Sequence, residues 1–564
     1  PNMKSTLLLF FVVFSLRLQS QWSTDPNVNN QICAAPGDQF LPQIVSDQSG
    51  GAIIVWEDFR NGSNYDIYAQ RISSTGVVLW SLNGLVIASY SNDQTMPEII
   101  SDGNGGAIIT WNDFRSGNYS DIYAQKINSS GVPQWTLNGI AVCSAVNSQH
   151  DPSLISDGNG GAIITWTDKR NGGSDIYAQH INSAGVLVWS SDGVVLCSAS
   201  SEQETPSIAS DGFGGAIIAW ADKRNGTALN PDSDIYAQRI DVNGAVMWMA
   251  DGISVASLTG FQNYPEIINN SSSEVIISWH DSRNGMDADV FSQRIKNDGG
   301  IMWNQNGIAL CTAAGSQTFP MLASDNAGGA IITWQDYRSG AYDVYAQRTD
   351  VDGNVLWATD GVAISTETNA QMSPDITSDG QGGAVITWRD YRDNGNQDIY
   401  AQRIDNNGIV QWTVNGIAIS VSTTDQYTPA ITIDGNGGAI ITWWDYRNSS
   451  TSDIYAQQVS FDGQLGVVTD ANEKKITPLL FRLVQNFPNP FNPSTKISWQ
   501  SPISGWQTIK LFDLLGQEIE TIVDGYYEAG NHLTLYIVNS TLPSGVYFYQ
   551  LIAGDFVETK KMVY

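Results

Sequence analysis

A 17-residue pattern recurs eight times along the chain and constrains its fold more than any other feature. One copy reads SDGNGGAIITWNDFRSG and spans residues 101–117. A fixed period of this kind is typical of solenoids, propellers and domain arrays, in which each repeat forms one supersecondary unit. The longest interval, 59 residues, follows Trp220 and contains an extended loop, Arg224–Asp234. The tryptophans of the eight copies lie 54 to 59 residues apart, at Trp56, Trp111, Trp166, Trp220, Trp279, Trp334, Trp388 and Trp443.

The sequence of each repeat predicts four short strands. A QxxP motif leads into the first strand, and a Gly-rich turn follows, where glycine supplies the positive φ of a tight turn. The second strand, typically AIITW, is apolar on both faces, which indicates a sheet buried on both sides. A DxRNG loop, a third strand such as DIYAQRI and a fourth such as NGIAV complete the unit. Four strands in about 55 residues make one blade of a β-propeller.

The two ends of the repeat region complement each other. The eighth repeat runs through DIYAQQV at residues 453–459 and then lacks its fourth strand. The segment Gln21–Ala35 aligns instead with Gln411–Ser420, which carries that strand in the seventh repeat. An N-terminal strand that completes the last blade closes a ring and removes exposed sheet edges. The sequence therefore predicts an all-β chain whose residues 21–466 form an eight-bladed β-propeller.

The cysteines share one repeat position. Cys33, Cys143, Cys197 and Cys311 all end the fourth strand, where the other blades carry Ala88, Ala256, Ser365 and Ser420. That pattern favours a small buried side chain over a disulfide network, although an even number of cysteines in an exported protein suggests disulfides. We therefore expect four free, buried thiols.

Charge and the N-terminus indicate an exported protein. Lys4 precedes the apolar run Leu7–Leu16, which predicts a secretory signal at residues 3–20. No later segment is long and apolar enough to span a bilayer. The net charge of −30 repels nucleic acid and anionic lipid, so neither is an expected partner.

The repeat stops near residue 466, and the composition changes. Residues 467–482 are predicted to form a polar linker, and residues 483–564 a small all-β domain with Gly turns. Its motifs are NFPNPFNPST (Asn486–Thr495), LFDLLGQE (Leu511–Glu518), SGVYFYQL (Ser544–Leu551) and KKMV (Lys560–Val563).

These motifs resemble the type A C-terminal sorting domain of the type IX secretion system, a family known in Bacteroidota. The resemblance implies an immunoglobulin-like β-sandwich that the outer-membrane secretion machinery recognises. It also implies that the chain crosses the outer membrane and is then released or attached to the cell surface. It says nothing about what the propeller does.

An Asp and an Arg two residues apart occur in every blade. On a strand this spacing puts both side chains on one face, where the arginine can bridge to a neighbouring strand or blade. A ring of arginines could also bind carboxylated sugars. We favour the structural role because an active site breaks repeat symmetry and this pair preserves it. The pairs are Asp58/Arg60, Asp113/Arg115, Asp168/Arg170, Asp222/Arg224, Asp281/Arg283, Asp336/Arg338, Asp390/Arg392 and Asp445/Arg447.

The QxxP glutamines are the candidate ligand-binding residues. If the strand after QxxP is innermost, they surround one mouth of the central channel, on the face where the DxRNG loops also open. They either form hydrogen bonds to neighbouring blades or provide a polar rim for a ligand. His150 beside Asp151 lies on the same predicted face. The glutamines are Gln39, Gln94, Gln149, Gln203, Gln262, Gln317, Gln371 and Gln426.

The extended loop of the fourth repeat is the least symmetric part of that face. Asn230, Asp232 and Asp234 could supply oxygen ligands to Ca²⁺, which takes six to eight of them. A plain loop insertion explains the same residues. No other cofactor is predicted.

No catalytic residues can be assigned from the sequence. The four histidines lack metal-ligand spacing, and no nucleotide-binding or zinc signature is present. The near-uniform blades favour a non-catalytic binding or adhesion module with a glycan or protein ligand. One alternative is a polysaccharide-active enzyme, which would need unique carboxylates at the channel mouth in one or two blades. Another is a purely structural component of a surface layer.

Overall fold

Each repeat forms one four-stranded antiparallel sheet in the computed structural model of the protein. The structure describes residues 22–226, 232–270, 274–393, 395–448, 451–466, 481–486, 489–491, 494–527, 530–538, 542–554 and 556–564. The predicted signal at residues 3–20 and most of the predicted linker lie outside these residues. Within them, eight sheets form the ring, which confirms the eight-bladed propeller.

The strands are numbered in chain order. The innermost strands are β2 (Gln39–Ser46), β6 (Gln94–Ser101), β10 (Gln149–Ser156), β14 (Gln203–Ser210), β18 (Gln262–Asn269), β22 (Gln317–Ser324), β26 (Gln371–Ser378) and β30 (Gln426–Ile433). The second strands are β3 (Ala52–Asp58), β7 (Ala107–Asp113), β11 (Ala162–Asp168), β15 (Ala216–Asp222), β19 (Val275–Asp281), β23 (Ala330–Asp336), β27 (Ala384–Asp390) and β31 (Ala439–Asp445).

The two outer layers complete the blades. The third strands are β4 (Asp66–Ile72), β8 (Asp121–Ile127), β12 (Asp175–Ile181), β16 (Asp234–Ile240), β20 (Asp289–Ile295), β24 (Asp343–Thr349), β28 (Asp398–Ile404) and β32 (Asp453–Val459). The outermost strands are β5 (Leu85–Ala88), β9 (Ile140–Cys143), β13 (Val194–Cys197), β17 (Ile253–Ala256), β21 (Ile308–Cys311), β25 (Val362–Ser365), β29 (Ile417–Ser420) and β1 (Asn30–Cys33). Blade 1 comprises β2–β5, and the blades follow in order to blade 8, which comprises β30–β32 and β1.

The N-terminal strand closes the ring as the sequence predicts. β1 pairs antiparallel with β32, and β2 packs against β30. The side chain of Asn29 donates a hydrogen bond to the carbonyl of Ile419 (2.9 Å) and accepts one from Oγ of Ser420 (2.8 Å). Trp22 is buried and donates from Nε1 to the carbonyl of Ser74 (3.0 Å). Trp22 thus joins the N-terminal segment to blade 1, and Asn29 joins it to blade 7.

The hydrophobic core lies between adjacent blades. The second strands are buried along their whole length in most blades, and all eight repeat tryptophans are fully buried. One core cluster shows the arrangement: Ile53 and Val55 of blade 1 pack with Ile109 and Trp111 of blade 2. Because each sheet buries both faces, no blade has a complete core by itself.

The repeated Asp/Arg pair connects strands within a blade and to the preceding blade. In blade 4, buried Asp222 accepts hydrogen bonds from Nε1 of Trp220 (2.8 Å) and Nε of Arg224 (2.9 Å). The guanidinium of Arg224 lies over the ring of Tyr236 and donates to Sγ of Cys197 (3.0 Å) in blade 3. The same intra-blade ion pair forms at Asp58–Arg60, Asp113–Arg115, Asp168–Arg170, Asp281–Arg283, Asp336–Arg338, Asp390–Arg392 and Asp445–Arg447.

The four cysteines are free and buried, as the shared repeat position predicts. Burial is the main cause that raises the pKa of each thiol to about 12. They therefore act as small packing residues next to the repeated arginines.

A β-bulge interrupts every innermost strand near the channel mouth. Between Thr95 and Glu98, for example, β6 has one residue more than its partner β7. The residue before the proline has a positive φ of 48–55° in all eight blades, although none of these residues is glycine. Positive φ at non-glycine residues is unfavourable and often occurs at functional sites. The bulge residues are Leu41, Met96, Asp151, Thr205, Tyr264, Phe319, Ser373 and Thr428.

The C-terminal residues form a separate unit, Thr469–Tyr564. One sheet contains β33 (Arg482–Leu483), β34 (Ser494–Ser501) and β37 (Gly530–Ile537). The other contains β36 (Glu518–Tyr527), β35 (Gly505–Phe512), β38 (Val546–Ala553) and β39 (Phe556–Val563). Trp499 and Ile497 of the first sheet pack with Leu511 and Tyr549 of the second. This confirms the predicted small β-sandwich. None of the described residues forms a helix with the length and apolarity that crossing a bilayer requires.

Ring closure can be tested at one repeat position. Ile32 in β1 and Ile87 in β5 occupy equivalent places in the outermost strand, and each is 2% exposed. We expect Ile32→Ala and Ile87→Ala each to lower the free energy of unfolding by about 2–4 kcal/mol, because both leave a cavity between blades. Chemical denaturation of the full chain, followed by tryptophan fluorescence, measures this. A loss for Ile87→Ala with none for Ile32→Ala would contradict closure by β1.

Candidate functional site

The QxxP glutamines lie inside the protein, not on its surface. All eight side chains are 0% exposed. Each Nε2 donates to the backbone carbonyl two residues earlier, as from Gln94 to Asn92 (2.9 Å) and from Gln317 to Gly315 (2.7 Å). This bond supports the loop that enters the innermost strand. The buried side chains of Gln39, Gln94, Gln149, Gln203, Gln262, Gln317, Gln371 and Gln426 therefore do not form the accessible polar rim that the sequence suggested.

The residues that differ between blades lie four positions after each glutamine, immediately after the proline. Sequence reasoning overlooked this position, although its signal was available: a varied residue inside an otherwise repeated motif. The bulge explains the omission, because one extra residue reverses the alternation that predicts which side chains share a face. The residues are Gln43, Glu98, Ser153, Ser207, Glu266, Met321, Asp375 and Ala430.

Most of these residues line one cavity of about 550 Å³ at the mouth of the central channel. Its lining includes four carboxylates. Three follow the proline, those of Glu98 in blade 2, Glu266 in blade 5 and Asp375 in blade 7, and the fourth belongs to the bulge residue Asp151 in blade 3. The bulge residues Met96 and Tyr264 are also in its lining. The ring thus brings into one cavity residues that are far apart in the sequence, such as Glu98 and Asp375, which are 277 positions apart.

The three carboxylates have different hydrogen-bond partners. Glu266 accepts a hydrogen bond from Oγ of Ser207 in blade 4 (3.2 Å). Asp375 accepts from the backbone N–H groups of Ile376 (2.8 Å) and Ile431 (3.0 Å). Within the described part of the chain, Glu98 has no hydrogen-bond partner for its carboxylate, which opens onto the channel.

Burial disfavours the charged form of all three groups. It is the main cause that raises the pKa of Glu98 to about 8, with repulsion from Glu266 and Asp375 adding to the effect. The pKa of Glu266 rises to about 7 and that of Asp375 to about 6, again mainly through burial. The side chains keep contact with channel water but lie deep within the ring of blades. Around neutral pH the site is therefore partly ionised.

Large apolar side chains stand at the rim of the cavity. Met96, Tyr264 and Phe319 are 45–49% exposed although they are bulky. The ring centroids of Tyr264 and Phe319 lie 5.1 Å apart, and the His280 ring lies 5.1 Å from Tyr264. Burial lowers the pKa of His280 to about 4, so this imidazole is neutral. The channel mouth therefore combines exposed aromatic rings at its rim with carboxylates inside the cavity.

His150 lies at the same mouth, on blade 3. Its Nδ1 is 2.9 Å from Oδ2 of Asp151, the bulge residue that lines the cavity. Both side chains are partly exposed. A role for His150 in ligand binding therefore remains a prediction with a suitable location.

The predicted calcium site lies only partly within the described residues. Asn230 lies outside the described residues. Asp234 is buried, and its Oδ2 accepts from Asn225 (2.6 Å) and Ser257 (3.1 Å). Oδ1 of Asp232 accepts from the N–H of Gly260 (3.4 Å). Among the described residues, no group of three or more His, Cys, Asp and Glu side chains could hold a metal ion.

The C-terminal unit matches a known family. Residues 485–564 fit the family model described as a secretion system C-terminal sorting domain, which confirms the resemblance drawn from its motifs. The fold and this match define the class of protein: an eight-bladed β-propeller followed by a sorting domain. The protein is exported across the outer membrane to the cell surface or the extracellular space. The sorting domain also implies contact with the secretion machinery.

Several solved structures are similar to this chain at a low level. They include a polysaccharide lyase of family PL25, an ulvan lyase (11% identity, TM-score 0.41, covering 65% of this chain and 92% of that one). A protein of unknown function from Dyadobacter fermentans has 10% identity and a TM-score of 0.35, covering 55% of this chain and 93% of that one. An endo-arabinase from Bacteroides thetaiotaomicron has 13% identity and a TM-score of 0.29, covering 52% and 99%. No curated protein matches the sequence significantly.

The raised carboxyl pKa values predict how stability depends on pH. A carboxyl whose pKa is higher in the folded than in the unfolded protein loses stability as the pH rises between those two values. We expect the free energy of unfolding to fall from about pH 5 to pH 8, since an unfolded glutamate titrates near about 4.3. Glu98→Gln removes the charge and should be more stable than the wild type at pH 8 by at least about 1 kcal/mol, because a pKa difference of one corresponds to about 1.4 kcal/mol.

Denaturation curves at pH 5 and pH 8 measure this difference. Asp352→Asn is the matched control, because Asp352 is exposed on a turn away from the cavity. A Glu98→Gln profile that runs parallel to the wild type across this range would show that Glu98 is not held in an unfavourable ionised form.

Proposed function

We propose that this exported propeller is a binding module whose glycan or protein ligand docks over the channel mouth. One observation carries the proposal: the innermost residues that differ between blades converge on a single cavity with carboxylates inside and apolar side chains at its rim. Repeated residues serve the ring, because every blade needs them. The ring does not require residues that vary between blades, and their convergence supports a ligand site.

A second candidate function is a polysaccharide-active enzyme. The same cavity supports it, because only three of the eight blades carry a carboxylate after the proline, and the pKa values of Glu98, Glu266 and Asp375 are about 8, 7 and 6. Glycoside hydrolysis uses a pair of carboxyl groups whose environments separate their pKa values. A purely structural role, the third possibility, gives no reason for exposed aromatic rings at the mouth.

A glycan array and a screen of surface proteins, both with the full chain, test the proposed function. We expect a ligand whose affinity falls at least tenfold in the double variant Tyr264→Ala/Phe319→Ala, because these rings supply exposed apolar area beside the cavity. Phe213→Ala is the control, since Phe213 is 65% exposed on a turn between an innermost and a second strand. An equal loss of affinity in the double variant and in Phe213→Ala would argue against a ligand site at the channel mouth.

Turnover separates the two candidates. Incubation of each bound polysaccharide with the protein, followed by assay for new reducing or unsaturated ends, detects an enzyme. Release of products that stops in Glu98→Gln or Glu266→Gln supports the enzyme. Binding of a polysaccharide without release of products supports the non-catalytic binding module.

A further inference from the structure

One arginine of the propeller lacks a carboxylate partner. Every other arginine among the described residues of the blades forms an ion pair with an Asp or a Glu. Arg389, near the end of β27 in blade 7, donates only to neutral groups. Its Nη1 donates to Oε1 of Gln397 (3.0 Å) and its Nη2 to Oγ of Ser373 (2.8 Å). Its buried Nε has no acceptor among the described residues.

The surroundings of Arg389 disfavour its charge. The side chain is half-buried, and burial lowers the pKa of the guanidinium. A buried charge without a counter-charge is unfavourable. A guanidinium has five N–H donors, and the described residues accept from only two of those of Arg389. An anion at this position would therefore bind donors that the protein leaves unused.

The acidic residue that enters blade 8 beside this region is bound elsewhere. Oδ2 of Asp425 accepts a hydrogen bond from the hydroxyl of Tyr427 (3.0 Å), and its Oδ1 accepts one from the backbone N–H of Gln397 (2.8 Å). Asp375, two residues after Ser373, accepts from two backbone N–H groups and lines the central cavity. Neither carboxylate pairs with Arg389, so the missing anion has to come from outside the described residues.

A second cavity, of about 450 Å³, lies on the same blade. Arg389 pairs with Met372 in the ladder of β26 and β27, and directly opposed residues of an antiparallel pair have their side chains on one face of the sheet. The volume is within the range of about 300–1,000 Å³ that is typical of small-ligand sites. Its lining consists of Asn369, Ala370, Met372, Tyr391 and Gly395, none of which lines the central cavity.

Aromatic rings continue from this cavity across blade 8 to blade 1. Tyr391 forms one wall of the cavity. Cζ of Arg389 lies 5.9 Å from the ring centroid of Tyr427, whose ring is stacked on that of Trp444 with 4.3 Å between the centroids. Phe40 of blade 1 meets Trp444 edge-on at 4.8 Å. All four rings are partly exposed. Trp444 occupies in blade 8 the place that Arg389 holds in blade 7, so the ring of blades does not require either side chain.

We propose that the cavity of blade 7 binds an acidic sugar residue of a glycan, with the carboxylate of the sugar on the terminal nitrogens of Arg389 and the sugar ring on Tyr391. This inference goes beyond the proposed function, because the site shares no lining residue with the central cavity. A guanidinium recognises a carboxylate through two parallel hydrogen bonds.

The aromatic surroundings favour a sugar over an acidic side chain of a protein. A pyranose ring has a flat C–H face that packs on an aromatic ring, whereas an aspartate or glutamate has only a short stem for this contact. The net charge of −30 repels anions from most of the surface. Specific capture of a carboxylate therefore needs a cation without an acidic partner of its own, which Arg389 provides.

The probe for this inference is methyl β-D-glucuronide, titrated into the full chain by ligand-observed NMR at pH 7.5. Methyl β-D-glucoside is the neutral comparison with the same ring. We expect the glucuronide to bind about tenfold more tightly, because hydrogen bonds to an ionised group are about twice as strong as neutral ones. Nα-acetyl-glutamate-N-methylamide carries a carboxylate without a sugar ring, and it should bind at least about fivefold more weakly than the glucuronide.

Variants locate the site. Arg389→Gln should reduce the affinity for the glucuronide to that for the glucoside, and Tyr391→Ala should weaken binding of both sugars. Arg389→Lys keeps the charge but loses the planar fork, so it should also weaken the glucuronide selectively. Thermal unfolding of each variant confirms that it is folded.

Two matched controls occupy the repeat position of Tyr391 in other blades. Lys223→Gln removes a positive charge from blade 4, where Lys223 already pairs with Glu204 (2.7 Å). Tyr337→Ala removes a tyrosine that is 44% exposed on blade 6. Both variants should bind the glucuronide as the wild type does.

Three results would overturn the inference. They are equal binding of glucuronide and glucoside to the wild type, tighter binding of the glutamate probe than of the glucuronide, and a loss of affinity in the controls equal to that in Arg389→Gln. The double variant Tyr264→Ala/Phe319→Ala separates this site from the proposed function. Glucuronide binding that needs Arg389 but survives in the double variant supports the blade 7 site, whatever ligand the screens identify. Binding that survives in Arg389→Gln but disappears in the double variant would place the sugar in the central cavity and contradict the inference.

Discussion

The packing of each blade against its neighbours is the constraint on which the rest of the structure depends. A single four-stranded sheet with two apolar faces is not stable in water. Every blade therefore needs a neighbouring blade against each of its faces. Eight blades meet this requirement only when the first and last are joined. The pairing of β1 with β32 provides that joint, together with Trp22 and Ile32, which pack against Ile54 and Trp56 of blade 1. A closed ring also leaves a channel along its axis, and the candidate site is part of that channel.

Within a blade, the repeated residues and the variable residues have different roles. The tryptophan, the Asp/Arg pair and the QxxP glutamine occur in every repeat and are buried in contacts within or between blades. The residues before and after the proline vary in charge and size and face the channel mouth. A carboxylate among them is unfavourable for stability, because burial raises its pKa. Three such residues at one mouth support the ligand site proposed above.

Much of the fold could be predicted from the sequence, because it depends on the repeat period and on short motifs along the chain. The spacing of the tryptophans implied the number of blades, the incomplete eighth repeat implied closure by residues near 30, and the shared position of the cysteines implied free thiols. The site was harder to predict. The glutamines were correctly placed beside the channel mouth, but their side chains turn inward to support the loop before the strand. Glu98, Glu266 and Asp375 were missed because a one-residue bulge shifts the alternation from which their orientation could have been read.

The sequence by itself determined the architecture, the export signal at the C-terminus and the small buried residues at each repeated position. Such features depend on period and on short motifs, and both are visible along the chain. Only the tertiary structure decided which side chains share a cavity. Glu98 and Asp375 line the same cavity because ring closure arranges distant blades around one axis, and the bulges turn the variable residues toward it. No spacing along the chain encodes that proximity, since it arises from the geometry of the closed ring.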